Sequence, residues 1–118
     1  IGLTGLVDCT DPKFQATIDA IDAQLRAGPT VYRYIADDGL PGREGGFFLC
    51  TSWLVEAFWK AGRRAEAESL FATMIDLAGP EGLLPEQYDP VLKRTLGNHP
   101  QAYSHIGVIE NALTLSGA

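Results

Sequence analysis

An all-α fold of four helices joined by long loops is what this sequence predicts, on three observations. Apolar residues recur at three- and four-residue spacing in four separate stretches, no stretch shows strong two-residue alternation, and glycine and proline punctuate the gaps. The chain has 118 residues, the size of one domain, with 46% hydrophobic and 20% charged. That supplies enough apolar surface for a core and lacks the signature of disorder.

The first helix is predicted over residues 12–27. Thr10-Asp11-Pro12 offers a cap residue followed by proline where a helix accepts it, and Phe14, Ile18, Ile21 and Leu25 follow at helical spacing. Gly28-Pro29 ends it, and residues 31–34 read as a short extended piece before the turn-rich Asp37-Asp38-Gly39-Leu40-Pro41-Gly42. Residues 44–61 are the most apolar stretch. Phe47, Phe48, Thr51, Leu54, Val55 and Phe58 form one stripe, while Leu49, Cys50, Trp53 and Ala57 carry it around, the pattern of a buried helix.

Gly62-Arg63-Arg64 makes a short connection. Ala67, Leu70, Phe71, Met74, Ile75 and Ala78 then mark an amphipathic helix whose other face holds Glu66, Glu68, Thr73 and Asp76, and these two helices should pair as an antiparallel hairpin. Gly79-Pro80-Glu81-Gly82 breaks the second one, and residues 83–99 read as a long ordered loop, a kind of segment that often carries function. Ala102, Ile106, Ile109 and Leu113 predict a last helix over residues 100–115.

Composition excludes several classes. The formal charge is -6, with 15 acidic against 9 basic residues and no basic block, so a nucleic-acid backbone would be repelled. No apolar run approaches the ~20 residues that span a bilayer and no leader opens the chain, so neither membrane insertion nor export is expected. Cys9 and Cys50 lie in different segments without metal or redox spacing, which predicts reduced thiols and a cytoplasmic setting. No cofactor is implied, and His99 has no metal-ligand companion, so no metal is assigned. The first residue is Ile1 rather than methionine, and the expectation is a piece of something longer.

Two loops, residues 33–42 and 84–90, concentrate aromatics, carboxylates, arginine and amides. That mixture suits a sugar, whose ring has apolar faces and a rim of hydroxyls, and glycosidic cleavage typically needs two carboxyl groups. From the residues alone, Glu86 reads as a solvated loop carboxylate. Asp37 and Asp38 read as turn formers and Arg33 as a surface ion-pair partner. His105 reads as a satisfied core histidine, and Trp53 and Trp59 as core aromatics, with a sugar platform as the alternative for a tryptophan near a helix end. A rival function is a protein-interaction scaffold, because residues 62–80, with Ala67 and Phe71 in an A-x3-F arrangement, look like half of a helical-repeat unit. Such units recur every ~34 residues, and no second copy is present.

Longer motifs occur in a fixed order. They are Tyr32-Arg33-Tyr34 with Asp37-Asp38-Gly39-Leu40-Pro41-Gly42, Glu44-Gly45-Gly46-Phe47 leading to Leu49-Cys50-Thr51-Ser52-Trp53-Leu54-Val55-Glu56-Ala57, Gly82-Leu83-Leu84-Pro85-Glu86-Gln87-Tyr88-Asp89, and Leu96-Gly97-Asn98-His99-Pro100-Gln101-Ala102-Tyr103-Ser104-His105. Together they resemble the C-terminal part of glycoside hydrolase family 15, the group of glucoamylases, glucodextranases and bacterial trehalases, most clearly over residues 31–115. The resemblance implies that residues 1–118 are the C-terminal portion of a catalytic domain, a segment of an (α/α)6 toroid that cleaves an α-glucoside or trehalose with inversion. It implies Glu86 as catalytic general base and Arg33 as a substrate-binding residue, with the segment around Asp38 approaching the same pocket. Gln101 and His105 match a stretch near the site, and Tyr34, Trp53 and Tyr88 complete the substrate-binding candidates. The family's general acid lies upstream of anything matching Ile1. The segment alone should therefore be inactive, with the rest of the parent domain as its partner, and its uncovered apolar helix over residues 47–58 should drive self-association. His99 departs from the resemblance, standing where related bacterial sequences more often have phenylalanine, and the choice among maltodextrin ends, isomalto-linkages and trehalose stays open.

Overall fold

The computed structural model describes residues 2–117, so the expectation attached to Ile1 lies outside the described residues. Four helices are formed: α1 (Pro12–Leu25), α2 (Phe48–Lys60), α3 (Arg64–Ile75) and α4 (Ala102–Ser116). Asp11 caps α1 by accepting the Lys13 amide at 2.7 Å, and Pro12 takes the first helical position. α3 runs on into a 3-10 turn at Asp76–Ala78, where residues 76–78 tighten rather than continue the α-helix.

Packing is organised around α2, which lies against both α3 and α4. Ile18, Val31, Leu54, Val55, Phe58, Ala67 and Leu70 form the main core cluster, and Phe48, Met74 and Leu84 form a second one. Contact between α2 and α4 needs small residues: a Cβ on Gly107 would lie 2.5 Å from the Ser52 hydroxyl, and Asn111 Nδ2 donates to the Ser52 carbonyl at 3.0 Å. α1 is tied on by Arg63. Its guanidinium lies 4.7 Å above the Phe58 ring, forks onto Glu66 at 2.7 and 2.5 Å, and reaches Asp19 at 2.5 Å. The Arg63 hydrogen bond holds the Glu66 carboxyl below its ordinary value, and Glu66, foremost, with Asp19 holds Arg63 protonated.

The turn between α2 and α3 closes in a Schellman pair. Gly62, at φ 80°, donates to the Trp59 carbonyl at 3.0 Å, and Arg63 N–H donates to the Phe58 carbonyl at 2.8 Å. A Cβ at Gly62 would meet nothing within 4 Å, so Gly62→Ala isolates the left-handed backbone cost. A loss of about 1–2 kcal/mol is expected in urea unfolding of the chain. An unchanged or raised midpoint, the usual result of glycine-to-alanine change at negative φ, would contradict this geometry.

The all-α expectation is incomplete. Strands β1 (Arg26–Ala27), β2 (Thr30–Val31), β3 (Gly46–Phe47), β4 (Gln87–Asp89) and β5 (Arg94–Leu96) form one antiparallel sheet in the order β1-β2-β3-β4-β5. Each has two or three residues, too few for an alternating pattern to register. The buried helix begins at Phe48 rather than residue 44, because Gly45 and Gly46 are used for close strand contact. A Cβ on Gly45 would lie 2.5 Å from the Tyr88 carbonyl oxygen, and one on Gly46 would overlap the Thr30 hydroxyl. The long loop over residues 83–99 is partly regular, holding the β4-β5 hairpin.

The apolar exposure also differs from expectation. Most of α2 is covered, with Phe48, Leu54, Val55 and Phe58 buried, and among its residues Trp53 is half exposed. It is α4 that presents an open apolar stripe, formed by Tyr103, Ile106, Ile109 and Leu113. Among the described residues no helix is long and apolar enough to cross a membrane.

Candidate active site

Sheet pairing joins loops that are far apart in sequence. β3 pairs with β4, setting Phe47 opposite Gln87, so the segment leading into β3 lies beside the residue that follows Glu86. The two form a cavity of about 770 Å³ lined by Tyr32, Tyr34, Asp38, Leu40, Glu44, Gln87, Leu96 and Gly97, among others.

Behind one wall runs a polar chain built on Arg33, which is itself outside the cavity lining but bonds Tyr34 and Glu44 within it. Its guanidinium lies 4.5 Å from the Tyr34 ring centre and 4.8 Å from that of Phe47, pairs with Glu44, and donates to the Tyr34 hydroxyl at 2.7 Å. Tyr34 in turn donates to Asp38 Oδ2 at 2.8 Å, while Asp38 Oδ1 accepts the Leu40 amide at 3.0 Å. Asp37 accepts the Gly39 amide at 2.9 Å, so both aspartates form turns, and Asp38 also serves the chain. Partial desolvation opposes the charge on Arg33, but the Glu44 hydrogen bond and neighbouring negative charge outweigh it and hold the guanidinium protonated. The hydrogen bond to Asp38 pushes the Tyr34 phenol up. Glu44 Oε2 is buried without a hydrogen-bond partner, an acceptor left over beside the Arg33 pair.

The Leu40 amide, foremost, and the Tyr34 hydroxyl hold the Asp38 carboxyl below its ordinary value of 3.8. With the folded value depressed, the contribution of Asp38 to the loop is complete above the ordinary value and is lost as pH falls through the folded one. The Leu40 amide resonance should therefore titrate with a midpoint below 3.8, and a midpoint at or above 3.8 contradicts the bond.

On the other side the lining residues are Gln87, Leu96 and Gly97, and Glu86 stands next to them on a segment whose backbone is fully bonded. Leu84 N–H donates to His105 Nε2 at 3.2 Å, and the Leu84 carbonyl accepts the Gln101 amide at 2.9 Å. The Pro85 carbonyl accepts the Ser104 hydroxyl at 2.6 Å. Glu86 N–H donates to the Asn98 carbonyl at 2.8 Å, and its own carbonyl accepts the Phe48 amide at 3.2 Å. His105 Nδ1 lies 2.7 Å from the Gln101 carbonyl, so the ring donates from Nδ1 and accepts at Nε2, a neutral tautomer fixed by its partners. The first turn of α4 thus anchors the segment, which is the role the structure shows for Gln101 and His105.

The Glu86 side chain is half buried. Its Oε2 accepts the Asn98 amide at 3.0 Å and Asn98 Nδ2 at 3.1 Å, while Oε1 has no bond to the described protein. Its neighbours Gln87 and Gly97 line the cavity, and a carboxylate with one oxygen held and one unbonded can take a proton from a bound water.

The remaining candidates fall elsewhere. Tyr88 packs against the cluster of Phe48, Met74 and Leu84, whereas its neighbour Gln87 lines the cavity and accepts the Gly45 amide at 2.8 Å, as alternation along a strand requires. Trp53 lines a separate apolar groove of about 480 Å³ with Leu3, Phe14, Leu25 and Cys50, and it is this groove, not the polar cavity, that Arg33 also lines. Burial pushes the Cys50 thiol up. His99 is exposed. Glu44, Gln87, Gly97 and Asn98 belong to the site without having been singled out beforehand. Each stands inside a motif quoted above, but only the strand pairing shows which of them meet.

Comparison with known proteins supplies the family: the model for "Glycosyl hydrolases family 15" matches residues 4–113, and the chain belongs to that family. It is similar to a trehalase of Mycolicibacterium smegmatis, 38% identical over 110 residues, which cover 91% of this chain and 16% of that protein. A trehalase of Mycobacterium tuberculosis is 37% identical over 110 residues, with the same coverage of 91% and 16%. A trehalase of Thermoplasma volcanium is 35% identical over 117 residues, covering 98% of this chain and 19% of that protein. The chain therefore spans less than a fifth of the length of these relatives. No solved structure matches it.

Proposed function

We propose that this chain is the C-terminal part of the catalytic domain of an inverting trehalase-type hydrolase, with Glu86 as its general base. The observation that carries the reading is a carboxylate pinned through one oxygen on a fully bonded segment, packed against Gly97 and followed by Gln87, both of which line a sugar-sized cavity. Family membership and three relatives named trehalase support the substrate class.

In the reaction, Glu86 Oε1 takes a proton from water as the water oxygen bonds to the anomeric carbon. The glycosidic C–O bond breaks on the opposite face, and the departing oxygen takes a proton from a general acid elsewhere in the whole enzyme. Asp38 and Glu44 supply acceptors for sugar hydroxyls and the Tyr34 ring offers an apolar face, while Arg33 holds the Tyr34 hydroxyl and Glu44 in place from behind. The open stripe on α4 supports a neighbour supplied by the rest of that domain. Without it, the isolated chain self-associates and is inactive.

Proton NMR of early products tests the mechanism. Trehalose has two α-configured anomeric carbons, so inversion at one of them releases α- and β-glucose in equal amounts before mutarotation. Release of α-glucose alone means retention and removes the base role. Turnover by the 118-residue chain by itself would equally contradict the reading, because the acid would then have to lie within it.

A further inference from the structure

We infer that Asn98 is a positioning residue for the Glu86 carboxylate, and this rests on the reading of Glu86 as general base. Three hydrogen bonds join the two residues. Glu86 N–H donates to the Asn98 carbonyl at 2.8 Å, and the Asn98 backbone and side-chain N–H groups donate to Glu86 Oε2 at 3.0 and 3.1 Å. The backbone pair fixes where residue 86 stands, and the paired donors fix how its carboxylate is turned.

The close approach is made by Gly97. It holds φ 71°, and a Cβ there would fall 2.5 Å from Glu86 Oε2 and 3.0 Å from Glu86 Cβ. A glycine followed by an amide side chain therefore brings two N–H groups onto one oxygen. An unheld glutamate spreads over several rotamers, and a general base works only when its free oxygen lies within hydrogen-bond reach of the water it deprotonates. Two donors on Oε2 also leave Oε1 as the carboxylate oxygen without a hydrogen-bond partner among the described residues, so one atom is assigned to the proton transfer. His105, Gln101 and Ser104 hold the segment from the α4 side, but none of them bonds the carboxylate itself. Asn98 is the residue that touches it.

Two substitutions with opposite chemistry test this in the full-length hydrolase, using trehalose as substrate. Asn98→Ala removes the side-chain donor and keeps the backbone one. Asn98→Asp keeps the shape but sets a carboxylate oxygen against Glu86 Oε2. The expected result is a kcat loss of about ten- to hundredfold for Asn98→Ala, a larger loss for Asn98→Asp, and a KM near wild type for both. A residue that merely fills space would give the reverse order, since aspartate is the closer match in size. Asn98→Asp turning over as fast as Asn98→Ala or faster overturns the inference, as does a raised KM with kcat unchanged. Should Asn98→Asp fail to fold, an unaltered kcat in Asn98→Ala overturns it alone.

Glu86→Gln measured in parallel separates the two levels. If that variant is inactive while both Asn98 variants turn over normally, the base role stands and the Asn98 role falls. If Glu86→Gln remains active, both fall together.

Discussion

Replacing Glu86 with glutamine in the full-length hydrolase should lower kcat by roughly a hundred- to ten-thousand-fold, with little change in KM. The side-chain size is kept, and a carboxamide oxygen still accepts from the Asn98 amide and Nδ2. The backbone bonds of residues 84–86 to Asn98, Gln101, Ser104, His105 and Phe48 do not involve the changed group. What disappears is the ability of the free oxygen to hold a proton, so the loss should fall on the chemical step, with trehalose binding by calorimetry preserved. Turnover near wild type would show that the Glu86 carboxylate is not the base.

Gly97→Ala should also carry a large effect, and it acts through Glu86. Its left-handed φ of 71° costs an alanine about 1–2 kcal/mol in folding stability. In addition, the new methyl would sit 2.5 Å from Glu86 Oε2, so either the carboxylate or the hairpin must shift. A displacement of that order is enough to reduce kcat by about a hundredfold. Gly62→Ala is the control, with a comparable φ of 80° and no neighbour within 4 Å. It should show the stability loss without any loss of turnover. If Gly97→Ala loses stability to the same extent and keeps its kcat, the close approach to Glu86 has no catalytic consequence.

The parts of this molecule that were legible in the sequence are those with a period. Helices α1 to α4 follow from apolar spacing, and the start of α1 was readable from Asp11 and Pro12 because a cap and a proline act locally. The sheet was not readable. Gly46 and Phe47 are strand residues because Tyr88, Gln87 and Val31 lie across from them, and nothing within two residues carries that information. The same limit applies to the site. Arg33, Tyr34 and Asp38 sit close enough in sequence to be grouped at once, and the structure joins them by consecutive hydrogen bonds. Asn98 lies twelve residues from Glu86, and only the antiparallel hairpin between them makes them partners. Tyr88 and Gln87 show the finer point. Of these two neighbours only Tyr88 stands out by residue type, yet the pleat sends it to the core and Gln87 to the cavity.

Chemical rescue gives the most direct measurement of the base role. Azide attacks an anomeric carbon without first losing a proton, so it does not need the carboxylate that water needs. With Glu86→Ala in the full-length enzyme and trehalose as substrate, added azide should restore turnover and yield β-glucosyl azide, formed as the glycosidic bond breaks on the opposite face. No rescue, or a product with the α configuration, would contradict the assignment of Glu86 as the base of an inverting displacement.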